Sequence, residues 1–187
     1  MATRKIAVLV GSLRKESFTR KIAHELIALA PPSLEFEIVE IGELAMYNQD
    51  LEENGAVAPQ AWTHFRQRIK EADGVLFLTP EYNRSVPAAI KNAVDVGSRP
   101  YGSSVWGGKP GAVVSVSPGA LGGFGANHAL RQFMVFIDVP MMQQPEAYIG
   151  NASNILGPDG KLNNDASKQI LAKFGQGYAA WVEKHAK

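Results

Sequence analysis

Short apolar segments alternate along the chain with longer segments in which apolar residues recur every three or four positions. The pattern predicts five β-strands, over Ile6–Val10, Leu34–Ile38, Val75–Leu78, Gly111–Val116 and Val139–Met142. Most of them are nearly continuous apolar runs, as expected for parallel strands that are covered on both faces. Leu34–Ile38 instead alternates apolar and polar residues, which predicts a half-exposed edge strand.

The longer segments predict helices between the strands. They cover about residues 17–30, 59–71, 124–137 and 163–187, with a further helix that begins near Pro87. Pro31 and Pro32 end the first helix, because a residue that precedes proline is disfavoured in the α-helical region. The segment Met46–Gly55 has the composition of a loop.

The alternation of strand and helix predicts an α/β fold with a doubly wound parallel sheet. The amphipathic second strand belongs at an edge of that sheet, which favours the strand order 2-1-3-4-5. Neither a repeat nor a linker interrupts the sequence, so residues 1–187 are predicted to form one domain.

Composition narrows the function classes. The formal net charge is +1 and the basic residues are dispersed, so nothing favours nucleic acid or a membrane surface as a partner. No apolar run reaches the ~20 residues that span a bilayer, and no signal-peptide segment is present, so we expect a cytoplasmic protein. The sequence has no cysteine, and its four histidines lack metal-ligand spacing. No metal site is therefore predicted, and redox chemistry would need a bound cofactor.

The loop after the first strand, Gly11–Thr19, has the composition of an anion site. It leads into a helix N-terminus, where free backbone amides and the helix dipole favour negative charge. Ser12, Ser17 and Thr19 add hydroxyls, and Arg14 adds a guanidinium. The loop has neither the Gly-Lys-Ser/Thr ending of a nucleoside-triphosphate P-loop nor a dinucleotide fingerprint. Alternatively, Ser17 is only a helix N-cap and Arg14 only a solvated turn residue.

Two further loops should emerge beside the first, because strand-to-helix loops share one edge of a parallel sheet. Thr79–Pro87 offers the aromatic face of Tyr82 and the amide of Asn83, and Ser117–Gly125 contains four glycines that permit close backbone approach. A flat ring between these loops, with its tail at the anion site, has the shape of flavin mononucleotide (FMN). A nicotinamide dinucleotide would need a second phosphate site, and AMP would be oriented less specifically. The alternatives without a ligand are that Gly119–Gly125 is a flexible connection or a helix start that only needs small residues, and that Tyr82 is a half-buried aromatic that fills the sheet edge.

The sequence resembles the NAD(P)H-dependent FMN reductases, especially their chromate- and quinone-reducing members. The motifs that carry the resemblance are Gly11–Thr19, Pro80–Asn83, Ile90–Asp95, Ser98–Pro100 and Ser117–Gly119 with Gly122 and Gly123. The resemblance covers nearly the whole chain and implies a flavodoxin-like fold with bound FMN. It also implies a homodimer or homotetramer, NADPH or NADH as the reductant, and quinones, chromate or ferric species as acceptors. The hydride would pass through flavin N5, so no catalytic side chain is expected.

The resemblance also assigns residues to the cofactor. It implies that the phosphate is held by Ser12, Arg14, Ser17, Phe18 and Thr19. It implies that the isoalloxazine ring contacts Pro80, Glu81, Tyr82 and Asn83. It implies that ribityl and ring are enclosed by Ser117, Gly119, Gly122 and Gly123. The chain departs from the family at Thr19, where asparagine is frequent, and at Arg84, where glycine is common. Arg84 and Arg99 are the candidate substrate-binding residues, since both would attract anions.

Two other function classes share this topology. A flavodoxin-type electron carrier would bind FMN without oxidising NAD(P)H itself, but such carriers tend to be acidic and to have a threonine-rich phosphate loop. A receiver domain would need an acidic cluster at the end of the first strand, and Val10-Gly11-Ser12 supplies none. The loops therefore favour the reductase.

Overall fold

The computed structural model describes residues 3–53 and 55–186. Its strands are β1 (Arg4–Val10), β2 (Leu34–Ile38), β3 (Gly74–Pro80), β4 (Gly111–Val116) and β5 (Ala147–Ile149). Its helices are α1 (Phe18–Leu29), α2 (Gln60–Glu71), α3 (Ala88–Gly97), α4 (Phe124–Phe136), α5 (Ala152–Ile155) and α6 (Asp165–His185).

The strands form one parallel sheet in the order β2-β1-β3-β4-β5, which confirms the predicted fold class. β2 is an edge strand whose outward side chains, Glu35 and Glu37, are exposed, as its alternating pattern predicts. β1, β3 and β4 are neighbours, so the loops that follow them leave the sheet side by side. The edge formed by the carboxyl ends of these strands is called the carboxyl edge below, and the opposite one the amino edge.

The fifth strand is not where the sequence predicts it, and the prediction of Val139–Met142 is wrong. In that segment Met141 makes a single parallel bridge to Gly111. Pro140 has no N–H with which to continue a ladder, and regular pairing with β4 resumes only where Ala147 lies opposite Val114. An apolar run that contains proline thus approaches the sheet without becoming a strand.

Helices cover both faces of the sheet. On one face α1 and α6 contribute Leu26 and Phe174 to a core that includes Val8 and Leu76. On the other face α2, α3 and α4 pack against a second core around Phe77. Burial of both faces explains why the central strands are apolar throughout.

The helix predictions are confirmed to within two residues at each described end. α6 begins later than predicted because Asn164 is its N-cap, whose side chain accepts a hydrogen bond from Ser167 N at 2.8 Å. Lys187, the predicted end of that helix, and Asn54, within the predicted loop, lie outside the described residues. The sequence pattern does not predict α5 or a single 3-10 turn at Gln49–Leu51, since both are too short to show periodicity. No helix in the described ranges is long and apolar enough to cross a membrane.

Candidate active site

The loops after β1, β3 and β4 meet at the carboxyl edge and form an open cleft. Its walls include eight of the predicted cofactor residues: Ser12, Arg14, Phe18, Thr19, Pro80, Glu81, Tyr82 and Ser117. Gly11 N donates to Leu78 O over 2.8 Å, so the first loop is joined to β3 where it leaves β1. Parallel pairing of the strands therefore places these distant sequence segments together.

One end of the cleft has the donors that an anion needs. Ser12 and Thr19 are only 4% and 2% exposed, and both line the cleft beside Arg14. Across the described residues, no protein group forms a hydrogen bond or ion pair with these three side chains. The first amides of α1 face the same region without intrahelical partners. Hydroxyls, amides and one guanidinium are the donor set that binds a phosphate monoester.

Ser17 has a structural role next to this donor set. It is the N-cap of α1, and its Oγ accepts a hydrogen bond from Arg20 N at 3.1 Å. The structure therefore confirms that Ser17 is a helix N-cap. The hydroxyl proton stays available to a ligand, because the cap uses only the oxygen lone pair.

In the first loop the charge of Glu16 is paired within the described residues, whereas the charge of Arg14 is not. Lys21 Nζ lies 2.8 Å from Glu16 Oε2, and its hydrogen bond and charge lower the pKa of the Glu16 carboxyl. Glu16 therefore stays anionic and is neutralised locally. Arg14 remains as the cation that the cleft can offer to a ligand.

The loop after β3 presents Tyr82 on a tight turn. Tyr82 and Ser85 exchange two backbone hydrogen bonds of 3.0 Å, and Asn83 and Arg84 between them have φ of 51° and 64°. Positive φ at both central residues is the geometry of a type I′ turn. Tyr82 is 46% exposed, so its ring is open to a ligand and does not plug the sheet edge.

The glycines after β4 shape the site indirectly. Gly122 and Gly123 have φ of 59° and 76°, and a Cβ on Gly122 would lie 2.6 Å from the Tyr148 carbonyl carbon. Gly122 therefore lets the loop pack on the β5 backbone, and Gly123 lets it pack on the end of β4, where an added Cβ would lie 3.0 Å from Ser115 Cβ. Gly119 N donates to Ser117 Oγ over 3.1 Å, which fixes the start of the loop, where Ser117 lines the cleft.

Several predicted residues lie beside the cleft and do not line it. They are Ser17, Asn83, Gly119, Gly122 and Gly123. Arg84 is on the same turn as Tyr82, with its side chain 76% exposed. Arg99 follows the far end of α3, whose ten residues correspond to about 15 Å. Arg84 is thus next to the cleft, whereas Arg99 is remote from it in this chain.

Other cleft residues were not predicted. Val116 and Pro118 flank Ser117 in the wall of the cleft, and their position at the end of a predicted strand was an available signal. A second, more apolar recess shares Arg14 and Tyr82 and adds Leu13 and Pro87–Ala89. No local pattern could predict it, because it depends on how α3 packs beside the first loop.

The residues of the cleft fit FMN. The unpartnered hydroxyls and guanidinium form one anion site, which suits a ligand with a single phosphate. The cleft between Tyr82 and Ser117 is bordered by backbone and by an aromatic face, which suits a flat ring with a polar edge. None of the cleft side chains is itself a redox group, so a cofactor is needed for electron transfer.

Comparison with known proteins identifies the family of the chain. The sequence profile of the NADPH-dependent FMN reductases matches residues 4–154. The chain is 59% identical over 178 residues to a quinone reductase of Pseudomonas putida, with 95% of this chain and 94% of the relative covered. It is 45% identical over 178 residues to a 2-hydroxy-1,4-benzoquinone reductase of a Burkholderia species, with 95% and 96% covered.

A solved structure supports the same relationship. FerB, the flavoenzyme NAD(P)H:(acceptor) oxidoreductase of Paracoccus denitrificans, superposes with a TM-score of 0.91 at 39% identity, and 99% of this chain and 100% of that chain are covered. The profile match and these relatives span nearly all of the described sheet and its loops. The chain therefore belongs to the NADPH-dependent FMN reductase family, with FMN as its cofactor and NAD(P)H as its reductant.

Proposed function

We propose that this protein transfers electrons from NAD(P)H, through FMN held at the carboxyl edge, to small quinones. The observation that carries the proposal is the single donor set formed by Ser12, Arg14 and Thr19 beside a cleft with an open aromatic face. The names of the relatives, quinone reductase and 2-hydroxy-1,4-benzoquinone reductase, favour quinones as acceptors.

In this proposal the first loop holds the phosphate. Arg14 supplies a charge-assisted hydrogen bond, and Ser12, Ser17 and Thr19 donate from their hydroxyls. The backbone at Phe18 adds the amide of the first helical turn. Thr19 replaces asparagine without loss, because either side chain can donate to a phosphate oxygen.

The other two loops hold the ring. Pro80, Tyr82 and Asn83 border it on the β3 side, and Ser117 and Gly119 on the β4 side. Gly122 and Gly123 act by letting their loop pack closely on β5 and on the end of β4, respectively. When bound, FMN supplies the redox chemistry that the side chains lack. The protein binds the ring, orients it and limits water at its edge, and no side chain is assigned as an acid or base.

The acceptor range extends beyond quinones in our proposal. One nitrogen of the Arg84 guanidinium pairs with Glu81, but the side chain is 76% exposed beside the cleft. Its exposed side would attract anions such as chromate or the phosphates of NADPH. Arg99 would do so only from a neighbouring subunit or through a long-range field. Such surface attraction weakens with salt, so activity with anionic acceptors should fall at high ionic strength more than activity with neutral quinones.

We also propose a homodimer or homotetramer in the cytoplasm, where NAD(P)H is available. α4 carries Phe124, Val135 and Phe136, which are 52%, 79% and 87% exposed. Val135 and Phe136 are adjacent at the end of α4, and exposed apolar surface of this kind is typical of a protein interface. Phe136→Glu should therefore give a smaller species by sedimentation velocity, whereas an unchanged sedimentation coefficient would count against this face.

The activity is tested on the purified protein in anaerobic solution. NADPH or NADH should bleach the visible flavin absorption, and benzoquinone should restore it. Steady-state oxidation of the nicotinamide should then depend on added quinone. If NADPH reduces the bound flavin but the flavin passes no electrons to any quinone, the proposed acceptor is wrong. A protein that binds FMN but is not reduced by either nicotinamide would be a carrier instead.

A further inference from the structure

The Glu81 carboxylate lies between the two loops that border the ring site. Its Oε2 accepts a hydrogen bond from Ala126 N at 3.1 Å, and its Oε1 lies 3.1 Å from the Arg84 guanidinium. The side chain is only 12% exposed. Glu81 thus contacts the turn after β3 and the helix that follows the glycine loop at the same time.

Glu81 supplies the side-chain hydrogen-bond acceptor that α4 lacks at its N-terminus. The N-cap of α4 is Gly123, which has no side chain to accept a hydrogen bond from the first turn. Ala126 is the third residue of that helix, and its amide is one that an N-cap side chain normally satisfies. The Glu81 carboxylate takes this place from 45 residues away, and its negative charge also suits the helix N-terminus.

The turn and the helix meet without intervening side chains. A Cβ on Gly125 would lie 2.8 Å from Arg84 O and 2.9 Å from Glu81 Oε2. The turn backbone therefore packs directly on the first turn of α4. The hydrogen bond from Ala126 N to Glu81 and the close backbone contact at Gly125 fix the spacing between the turn that carries Tyr82 and the start of α4. The ion pair between Arg84 and Glu81 lies within the turn itself.

We propose that Glu81 is a positioning residue, which joins the β3 turn to α4 and so sets the width of the ring site. This inference rests on the proposed function, since it assumes that the ring lies between these loops. It differs from the assignment that the family resemblance implies, in which Glu81 itself contacts the ring. Arg84 pairs with the other oxygen of the same carboxylate.

Two substitutions at Glu81 separate its functions. Glu81→Ala removes both the acceptor for Ala126 N and the partner of Arg84. Glu81→Gln keeps a carbonyl that can accept from Ala126 N but removes the charge. Glu25→Ala is the matched control, because Glu25 Oε2 accepts from Leu162 N at 3.0 Å, a carboxylate-to-amide bond that does not touch the cleft.

The measurements are the FMN dissociation constant and the visible spectrum of the bound flavin, taken at a temperature where all variants are folded by circular dichroism. E81A should raise the dissociation constant about tenfold and shift the visible band, whereas E81Q should stay within about threefold of wild type. E25A should lower the Tm but leave both flavin measurements unchanged. Equal affinity and spectrum for E81A and wild type would overturn the proposal, as would a loss of affinity in E25A equal to that in E81A.

Gly125→Ala decides the matter if E81A does not fold. Alanine is favoured over glycine within a helix, but here its Cβ would press on Arg84 O and Glu81. G125A should therefore bind FMN about tenfold more weakly despite the better helix former, and wild-type affinity would overturn the proposal. Failure of wild type to bind FMN would instead contradict the proposed function, so the two failures are distinguishable.

Discussion

The two edges of the sheet treat their polar groups differently. At the amino edge the Tyr178 hydroxyl, which is fully buried, lies 2.8 Å from Val75 O and 3.2 Å from Pro110 O. Trp181 Nε1 donates to Pro140 O, and Lys109 Nζ donates to Ala72 O. These bonds add side-chain donors to backbone carbonyls at this edge, two of which, Pro110 O and Pro140 O, also accept from backbone amides. They connect the edge to α6 and to the end of α2.

At the carboxyl edge the polar side chains face the cleft. Tyr82 is 46% exposed, and the side chains of Ser12, Arg14 and Thr19 form no hydrogen bond or ion pair within the described residues. The amino edge therefore contributes to stability, because its polar groups are satisfied internally. The carboxyl edge keeps its donors for a ligand. The comparison predicts that substitutions at one edge change binding and that those at the other change stability.

The largest effect is expected for Arg14→Ala at the carboxyl edge. Loss of a charge-assisted hydrogen bond to the phosphate should weaken FMN binding by about a hundredfold with little change in Tm. The dissociation constant follows from quenching of flavin fluorescence. Lys15→Ala is the control for charge, because Lys15 is exposed on the same loop but does not line the cleft. If R14A binds FMN with wild-type affinity, the carboxyl edge is not the site that binds the phosphate.

Tyr178→Phe tests the amino edge. It removes the hydroxyl that donates to the buried Val75 carbonyl, and loss of this hydrogen bond should reduce the free energy of unfolding by about 1 kcal/mol. Urea denaturation measures the loss, and FMN titration of the folded variant should match wild type. Weakened FMN binding at unchanged stability would show that the edges are not separate in function.

Ser17→Ala tests a residue that we expect to contribute both to stability, as the N-cap of α1, and to FMN binding. Loss of the N-cap should reduce the free energy of unfolding by about 1 kcal/mol, and loss of the donated proton should also weaken FMN binding by about threefold. Asn164→Ala is the matched control, since Asn164 is the N-cap of α6. N164A should lose similar stability without any change in FMN affinity. Identical behaviour of the two variants would remove Ser17 from the phosphate site.

The smallest effect concerns alkaline pH. Burial, with a contribution from the Glu146 carboxylate, raises the pKa of Tyr148 to about 12, whereas an unfolded tyrosine titrates near ~10. The neutral phenol therefore contributes stability that is complete below pH ~10 and is lost as the pH rises towards ~12. Tyr148→Phe should flatten the fall in Tm across this range, and Tyr101→Phe should not, because Tyr101 is 94% exposed. Equal profiles for both variants would contradict the shift.

The sequence predicts what is local to it. The strand order, the helices and the donor-rich loop Gly11–Thr19 all follow from periodicity and from residue types that act within a few positions of one another. The position of β5 does not, because Val139–Met142 has strand composition and only its pairing shows that Pro140 interrupts the ladder.

The role of Glu81 is also hidden from the sequence. Its partner Ala126 lies 45 residues away, and an amide at the start of a helix carries no mark in the side-chain pattern. The recess beside Leu13 is hidden for a similar reason, since the packing of α3 forms it. The parts of the site that the sequence does not predict therefore depend on contacts between distant segments.

The most direct test of the central claim compares two ligands on the wild-type apoprotein. FMN and riboflavin share the ring and the ribityl chain and differ in the phosphate. If the donor set at the start of α1 anchors the cofactor, FMN should bind at least about a hundredfold more tightly than riboflavin at the same ionic strength. Equal affinities for the two ligands would contradict the claim.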